Sequence, residues 1–274
     1  MNPCKKSIPL GESIIHSKNY HPDHLFPVGR ARTRENIGIF QELPFSGFDI
    51  WNAYEISWLD KRGKPQAAMG EILFPCTSKN IVESKSLKLY LNSFNQSRFE
   101  SPERVAVLME KDLSRCTEGP VRVDILLPDM FLRMMKIENP SGESLDKLDI
   151  EVTQYQVDPS LLFTGQRRVS ERLFSNLLRT NCPVTGQPDW GTVMIDYTGR
   201  RIAREGLLAY IISFREHTGF HENCVERMFM DIMERCSPEK LSVYARFNRR
   251  GGIDINPFRT NCGEVFSNVR LARQ

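Results

Sequence analysis

The chain has 274 residues, with 37 Lys and Arg against 34 Asp and Glu, a formal surplus of 37 − 34 = +3. Hydrophobic residues make up 40% and charged residues 26%, a balance that excludes collagen, coiled coil and wholesale disorder. The length suits one large or two ordinary domains, and so small a surplus argues against a dedicated nucleic-acid or membrane surface.

The first forty or so residues read as a long irregular arm, punctuated by Pro, His, Gly and Arg through His21 to Arg30. Phe48 to Leu59 is rich in aromatic and branched residues and reads as a strand. It ends at the polar turn Asp60 to Pro65, from which Ala67 to Phe74 can pair back as a hairpin. Leu87, Leu89, Tyr90, Leu91 and Phe94 suggest a helix packed on one side. Ser101-Pro102 is a helix start, Ser capping and Pro at the first helical position, and Val105, Val107, Leu108 and Leu113 supply its apolar face. Alternating Val121, Val123, Ile125 and Leu127 predict a strand closed by Pro128. Glu138 to Ser144 is the best internal boundary.

The second half repeats this order. Strands are expected over Glu171 to Leu178 and Gly191 to Tyr197, helices over Ile202 to Phe214 and His221 to Cys236, and a strand over Leu241 to Phe247. Each half thus reads β-β-α-α-β, with a further strand possible. Tyr90-Leu91-Asn92-Ser93-Phe94 is echoed by Tyr210-Ile211-Ile212-Ser213-Phe214, which supports duplication.

Three segments carry more chemistry than their local structure asks for. In Arg179 to Gly191, Cys182 stands just past a strand end, and a loop with two prolines and a glycine returns the carboxylate of Asp189 seven residues later. A thiol attacks only as thiolate, and a nearby carboxylate can move the proton involved; the plainer alternative is a structural thiol and a turn-stabilising Asp. In Val82 to Tyr90, Ser84, Lys85, Ser86 and Lys88 crowd a helix start, where free N–H groups and the dipole favour phosphate. Glu83 runs against that trend unless it meets N–H donors such as a guanine-like edge; otherwise it belongs to a capped, solvated helix start. In Arg249-Arg250-Gly251-Gly252, flanked by Arg246 and Arg259, arginine forks and glycines suit a phosphate; otherwise this is an exposed turn. His221-Glu222 at a helix start is a fourth, weaker pair.

No Rossmann glycine fingerprint, Walker A loop or zinc-deaminase pattern is present. The longest purely apolar run, Leu207 to Ile212, is far short of the roughly 20 residues a spanning helix needs. Lys5 and Lys6 have no apolar stretch behind them, so no secretory signal is expected. The seven cysteines, Cys4, Cys76, Cys116, Cys182, Cys224, Cys236 and Cys262, are widely spaced without a C-x-x-C pair. Their odd number fits a reducing cytoplasm better than a disulfide framework.

Taken together, Glu83 to Tyr90, Asn181 to Trp190, His221-Glu222 and Arg249 to Pro257 resemble the NADPH-dependent 7-cyano-7-deazaguanine reductases, the nitrile reductases of queuosine biosynthesis in tRNA modification. The length resembles their two-module form. The resemblance implies an α+β fold of tandem tunnelling-fold (T-fold) halves, each β-β-α-α-β-β, with an antiparallel sheet, helices on one side and the two sheets joined into a barrel layer. The parts would be an arm (1–45), a first half (46–145) and a second half carrying the cysteine (146–274). It implies that a nitrile becomes a primary amine at the expense of two NADPH. Cys182 would form a covalent thioimide, and Asp189 would protonate the developing nitrogen anion. A first hydride would give a thiohemiaminal that collapses to an imine, and a second would give the amine. Val82, Glu83, Ser84, His221 and Glu222 would hold 7-cyano-7-deazaguanine; Ser84, Lys85, Arg250 and Gly251 would contact NADPH. A homodimer or larger is expected, since open sheets have edges to cover, with no direct nucleic-acid partner, no membrane and no metal. The rivals are another purine- or pterin-binding T-fold enzyme, such as a GTP cyclohydrolase-like hydrolase, and an RNA-binding module resting on the arginines from Arg246 to Arg259.

Overall fold

A computed structural model describes residues 19–134, 136–263 and 267–274; the start of the arm, with Cys4, Lys5 and Lys6, lies outside the described residues. The described arm passes through strand β1 (Pro27–Gly29) and helix α1 (Ala31–Glu35). A long hairpin follows, β2 (Ser46–Leu59) and β3 (Pro65–Pro75), with Asp60 accepting from the N–H groups of Arg62 and Lys64 at 2.8 and 2.9 Å. Then come β4 (Asn80–Val82), α2 (Ser84–Ser93), α3 (Pro102–Thr117), β5 (Arg122–Leu126), α4 (Phe131–Met134) and β6 (Glu143–Ser144). The remainder is β7 (Thr164–Asn181), β8 (Pro188–Ile202), α5 (Arg204–Ser213), α6 (His221–Cys236), β9 (Lys240–Phe247) and β10 (Ile253–Thr260).

Eight strands form one sheet in the order β5-β3-β2-β10-β9-β8-β7-β6, antiparallel except for β6 against β7. The seam between the early and late strands is β2 on β10, where Trp51 faces Ile255 and Asp49 faces Pro257. Strand side chains alternate between faces, so Ile253 and Arg259 share one face of β10. Ile253 packs into the core built with α2 and α3, while Arg259 reaches Glu226 on α6. All four long helices therefore cover the same face, and the class is α+β with helices on one side. The opposite face carries a small cluster of Ile50, Tyr244 and Phe258 and is overlaid by the C-terminal segment, where Arg246 donates to Gln274 and Asn268.

The two halves close differently. The second ends in two strands, β9 and β10. The first ends in β5 and, after Pro128 removes a backbone donor and opens a 3-10 turn over Pro128–Met130, the two-residue β6. That β6 does not pair with β5; it joins β7 of the second half in parallel. Within one chain the sheet also stays open, with β5 and β6 as its edges.

The duplication echo reappears as matching bonds. Tyr90 donates to Asp112 at 2.9 Å and Tyr210 to Asp231 at 2.7 Å; each acid stands ten residues past the start of its helix (112 − 102 and 231 − 221). Ser93 and Ser213 each donate to the tyrosine carbonyl three residues earlier at 2.6 Å. Both second helices end in a left-handed residue, Glu118 at φ 51° and Ser237 at φ 47°. A buried hydrogen bond to a charged acceptor is worth roughly 1.5–3 kcal/mol, enough to hold this helix pairing in both halves.

Candidate active site

The site forms where two helix starts and two strand connections meet. Helix α2 is capped by Glu83, an unusual capping residue. Its carboxylate accepts from Lys85 N–H at 2.9 Å and Ser86 N–H at 2.7 Å, which fixes a buried anion at the positive end of the helix. Both readings of this segment therefore meet in one residue: Glu83 caps the helix and also faces the cleft.

The β7–β8 hairpin delivers the thiol and the second carboxylate. Thr180 pairs with Asp189 and Asn181 with Pro188, so the loop is Cys182 to Gln187. Cys182 N–H donates to Gln187 at 2.9 Å and Gly186 N–H to Cys182 at 3.0 Å, with Gly186 left-handed at φ +67°. Asn181 is stitched to the segment before α6 by bonds to His217 and Gly219. That stitching brings His221 and Glu222, the first residues of α6, against the loop. Asn248 closes the far side: its side chain accepts from Trp190 N–H at 2.8 Å, and its own N–H donates back to Trp190 at 2.8 Å.

These elements enclose a cavity of about 190 Å³. Val82, Glu83, Ser84, Lys85, Cys182, Asp189, His221, Glu222 and Arg250 all line it. Gly251 does not; it sits at φ +58°, where an added Cβ would stand 2.7 Å from Lys88 Nζ. The glycine thus makes room for Lys88, which does line the cavity. Trp51, Phe220, Asn248, Ile253 and Ile255 also line it and were missed. Lys88, read in the sequence as part of the cationic helix start, stands three residues after Lys85 on the same helical face. Trp51 and Ile255 could not be found from the sequence, because only the β2–β10 pairing brings them to the site.

The electrostatics separate the roles. Burial opposes the Cys182 thiolate, but the Thr185 hydroxyl and the N–H groups of Thr185 and Val184 outweigh it and lower the thiol pKa. Asp189 behaves similarly: burial would raise its pKa, and His221 and Arg250 overcome that and hold it below the usual carboxylate range. Arg250 donates to one oxygen at 2.7 Å, and His221 Nε2 lies 3.4 Å from the other. The His221 ring stacks on Phe247, with centroids 3.7 Å apart and planes at 12°. The resting Asp189 is therefore ionised. Burial and Arg250 lower the Lys88 pKa. Glu222, fully buried, is pushed up to about 7 by burial and by Asp49. Trp51 Nε1, His221 Nδ1 and Glu222 Oε1 are buried without a hydrogen-bond partner among the described residues, and all three residues line the cavity.

The outer arginines behave differently from their sequence reading. Arg259 is fully buried and paired with Asp49 and Glu226. Arg246 is buried against Tyr244, Asn268 and Gln274. Neither faces a phosphate, which removes most of the support for an RNA-binding surface. Arg250 remains at the cavity but is bonded to Asp189, Thr185 and Gln187. Among the described residues no three His, Cys, Asp or Glu side chains come together as a metal-binding group, and no helix is long and apolar enough to cross a membrane.

Fold and cavity together define a duplicated α+β protein with a cleft that pairs a thiolate-favouring cysteine with carboxylates suited to N–H donors. The family model for the N-terminal part of nitrile reductase, 7-cyano-7-deazaguanine reductase, matches residues 16–125, and that of the QueF-like proteins matches residues 188–265. A protein of Desulfotalea psychrophila is 58% identical over 269 residues, covering 97% of both chains. One of Bordetella avium is 53% identical, covering 97% of this chain and 98% of its own. One of Burkholderia multivorans is 52% identical over the whole of both. Each of the three is named NADPH-dependent 7-cyano-7-deazaguanine reductase. The chain belongs to the 7-cyano-7-deazaguanine reductase family.

Proposed function

We propose that this protein reduces the nitrile of 7-cyano-7-deazaguanine to the aminomethyl group with NADPH, through a covalent thioimide on Cys182. The observation that carries this reading is the Cys182 loop, whose N–H groups and Thr185 hydroxyl favour the thiolate beside an ionised Asp189. A nitrile resists direct hydride addition, and sulfur addition gives a more electrophilic carbon. The Cys182 proton passes to Asp189 as sulfur bonds to the nitrile carbon. Asp189 then delivers that proton to the nitrogen as the C≡N bond becomes C=N, so the step is balanced without an outside acid. His221 and Arg250 hold the carboxylate on both sides and keep it a strong acid once protonated. Glu83 and Glu222 accept from the N–H donors of the base edge, with Val82, Ser84 and His221 beside them.

NADPH fits the cationic side of the cavity, where Ser84, Lys85 and Lys88 project from the start of α2 and Gly251 leaves space beside Lys88. Two molecules bound there in turn would each supply one of the two hydrides that, with two further protons, turn a nitrile into an amine. Lys85, Arg250 and Gly251 are the proposed contacts. In this reading the chain divides into an arm (1–45) and halves at 46–145 and 146–274, acts on a free base rather than on nucleic acid, and works in the cytoplasm. The test is NADPH absorbance with the cyano-deazaguanine: oxidation that depends on nitrile is expected, and none would sink the reading.

Two further outcomes are expected. Glu83→Ala leaves N–H donors of the base unpaired, a loss of roughly 1–3 kcal/mol; nitrile binding and adduct formation without NADPH should weaken. Lys85→Ala should raise the Michaelis constant for NADPH and leave the adduct nearly intact, with an effect that shrinks at high salt. Lys85 is a cleaner probe than Arg250, since removing Arg250 also disturbs Asp189. Separately, among the described residues no strand pairs with the outer edge of β5 or with β7 ahead of its two-residue β6 contact, so a homodimer or larger is expected. Sedimentation showing only monomer at micromolar concentration would count against it.

A further inference from the structure

Glu222 shares a face of α6 with Glu226, one turn later, and both are buried. Glu226 is fully committed. Arg34 donates to its two oxygens at 3.0 and 2.7 Å, and Arg259 to Oε1 at 2.8 Å. Asp49 on β2 pairs with Arg259 at 2.7 Å and with Arg30. Glu222 takes no share of this: its Oε1 has no partner among the described residues. Arg30, at the start of α1 and 2% exposed, is equally incomplete. Its Nε and Nη2 donate to Ser78 at 3.3 and 3.2 Å and Nη2 also to Asp49. Its Nη1 is buried without a hydrogen-bond partner, 3.9 Å from Glu226. The cluster thus holds three guanidinium groups, Arg30, Arg34 and Arg259, against Asp49, Glu226 and Glu222. Its charges balance only when Glu222 is ionised.

We infer that Arg30, on the N-terminal arm, is a positioning residue for the substrate site: its incompletely satisfied guanidinium favours the ionised, accepting form of Glu222 that the base edge requires. The inference rests on the reading that Glu222 accepts from the base. Without Arg30, three buried carboxylates share two guanidinium groups, and the one with no partner takes a proton most readily. A protonated Glu222 presents an O–H where the base presents N–H, so binding fails by donor–donor conflict. The charged or titratable groups bearing on Glu222 are Arg30 and Arg34 from the arm, Asp49 from β2, Arg259 from β10, and His221 and Glu226 from α6. Burial and Asp49 raise its pKa to about 7, and Arg30 and His221 act the other way.

The experiment measures adduct yield against nitrile concentration by intact mass, without NADPH, across pH. In the parent protein binding should strengthen as pH rises through about 7. Arg30→Gln should move that midpoint up by about one unit, weakening binding about fivefold at neutral pH, while NADPH affinity stays within twofold. Arg30→Lys should recover most of the loss. Asp49→Asn removes a negative neighbour and should move the midpoint down, so it carries the test if Arg30→Gln does not fold. Adding Arg30→Gln to Glu222→Gln should change nothing further. A full Arg30→Gln effect in the Glu222→Gln background, or an unmoved midpoint in either single variant, overturns the inference. Glu222→Gln that binds nitrile as well as the parent instead overturns the reading of Glu222 itself.

Discussion

Cys182→Ala is expected to abolish turnover and to prevent any mass increase when the protein is incubated with 7-cyano-7-deazaguanine in the absence of NADPH. The Cys182 thiol lines the cavity, and its surroundings lower its pKa. The other described cysteines with shifted pKa values go the opposite way: Cys76 is raised by burial, Cys116 and Cys236 to about 11, and the fully buried Cys224 further still. Cys224→Ala should therefore keep the adduct, at some cost in packing. The reactive form holds one proton between Cys182 and the ionised Asp189, so adduct formation should slow once pH rises past the Cys182 pKa and that proton is lost to solvent. An adduct that survives in Cys182→Ala would remove this residue from the chemistry.

Asp189→Asn should bind the nitrile but turn it over roughly 10²–10⁴-fold more slowly, the usual range for a positioned acid–base group. The amide keeps the shape and one oxygen for Arg250 but cannot carry a proton from sulfur to nitrogen. Arg250, freed from a charge partner, should also lose part of its hold on the Cys182 loop, where it reaches Thr185 and Gln187. The pH dependence has a definite sign. His221 and Arg250 depress the Asp189 pKa, so its carboxylate form persists above that value and is lost only as pH falls through it. An acid limb of activity due to Asp189 should lie below the range of an ordinary carboxylate and vanish in the Asn variant. Unchanged turnover in Asp189→Asn at neutral pH would exclude it from the proton path.

The elements most legible in the sequence are those set by near neighbours. Ser101 caps α3 by accepting from Arg104 N–H at 3.3 Å, as the Ser-Pro pair predicts. The strand periodicity of Val121 and Val123 and the turn at Asp60 also stand as read. Strand lengths were underestimated. β7 runs from Thr164 and β8 to Ile202, well past the apolar cores of Glu171 to Leu178 and Gly191 to Tyr197. Their polar ends are held by cross-strand pairing, which composition does not encode. β10 was only a possibility, because Asp254, Asn256 and Arg259 interrupt its apolar pattern; each is buried with partners on distant segments.

The sequence alone determined the Cys182–Asp189 hairpin: the thiol, the rigid loop and the carboxylate lie within eight residues, and backbone geometry over that span decides their meeting. It also determined the two helix starts at Glu83 and His221 and the repeated Tyr–Ser–Phe pattern. Tertiary structure decided the rest. Arg34 meets Glu226 across 192 residues of sequence, and Asn256 reaches Ile50 across 206; no local signal anticipates such pairs. Whether an arginine is a phosphate ligand or a buried counter-charge depends on which carboxylate the fold brings beside it. Arg250 and Arg259 look alike in the sequence and part company because strand alternation and the β2–β10 seam send one to the cavity and the other to Asp49 and Glu226.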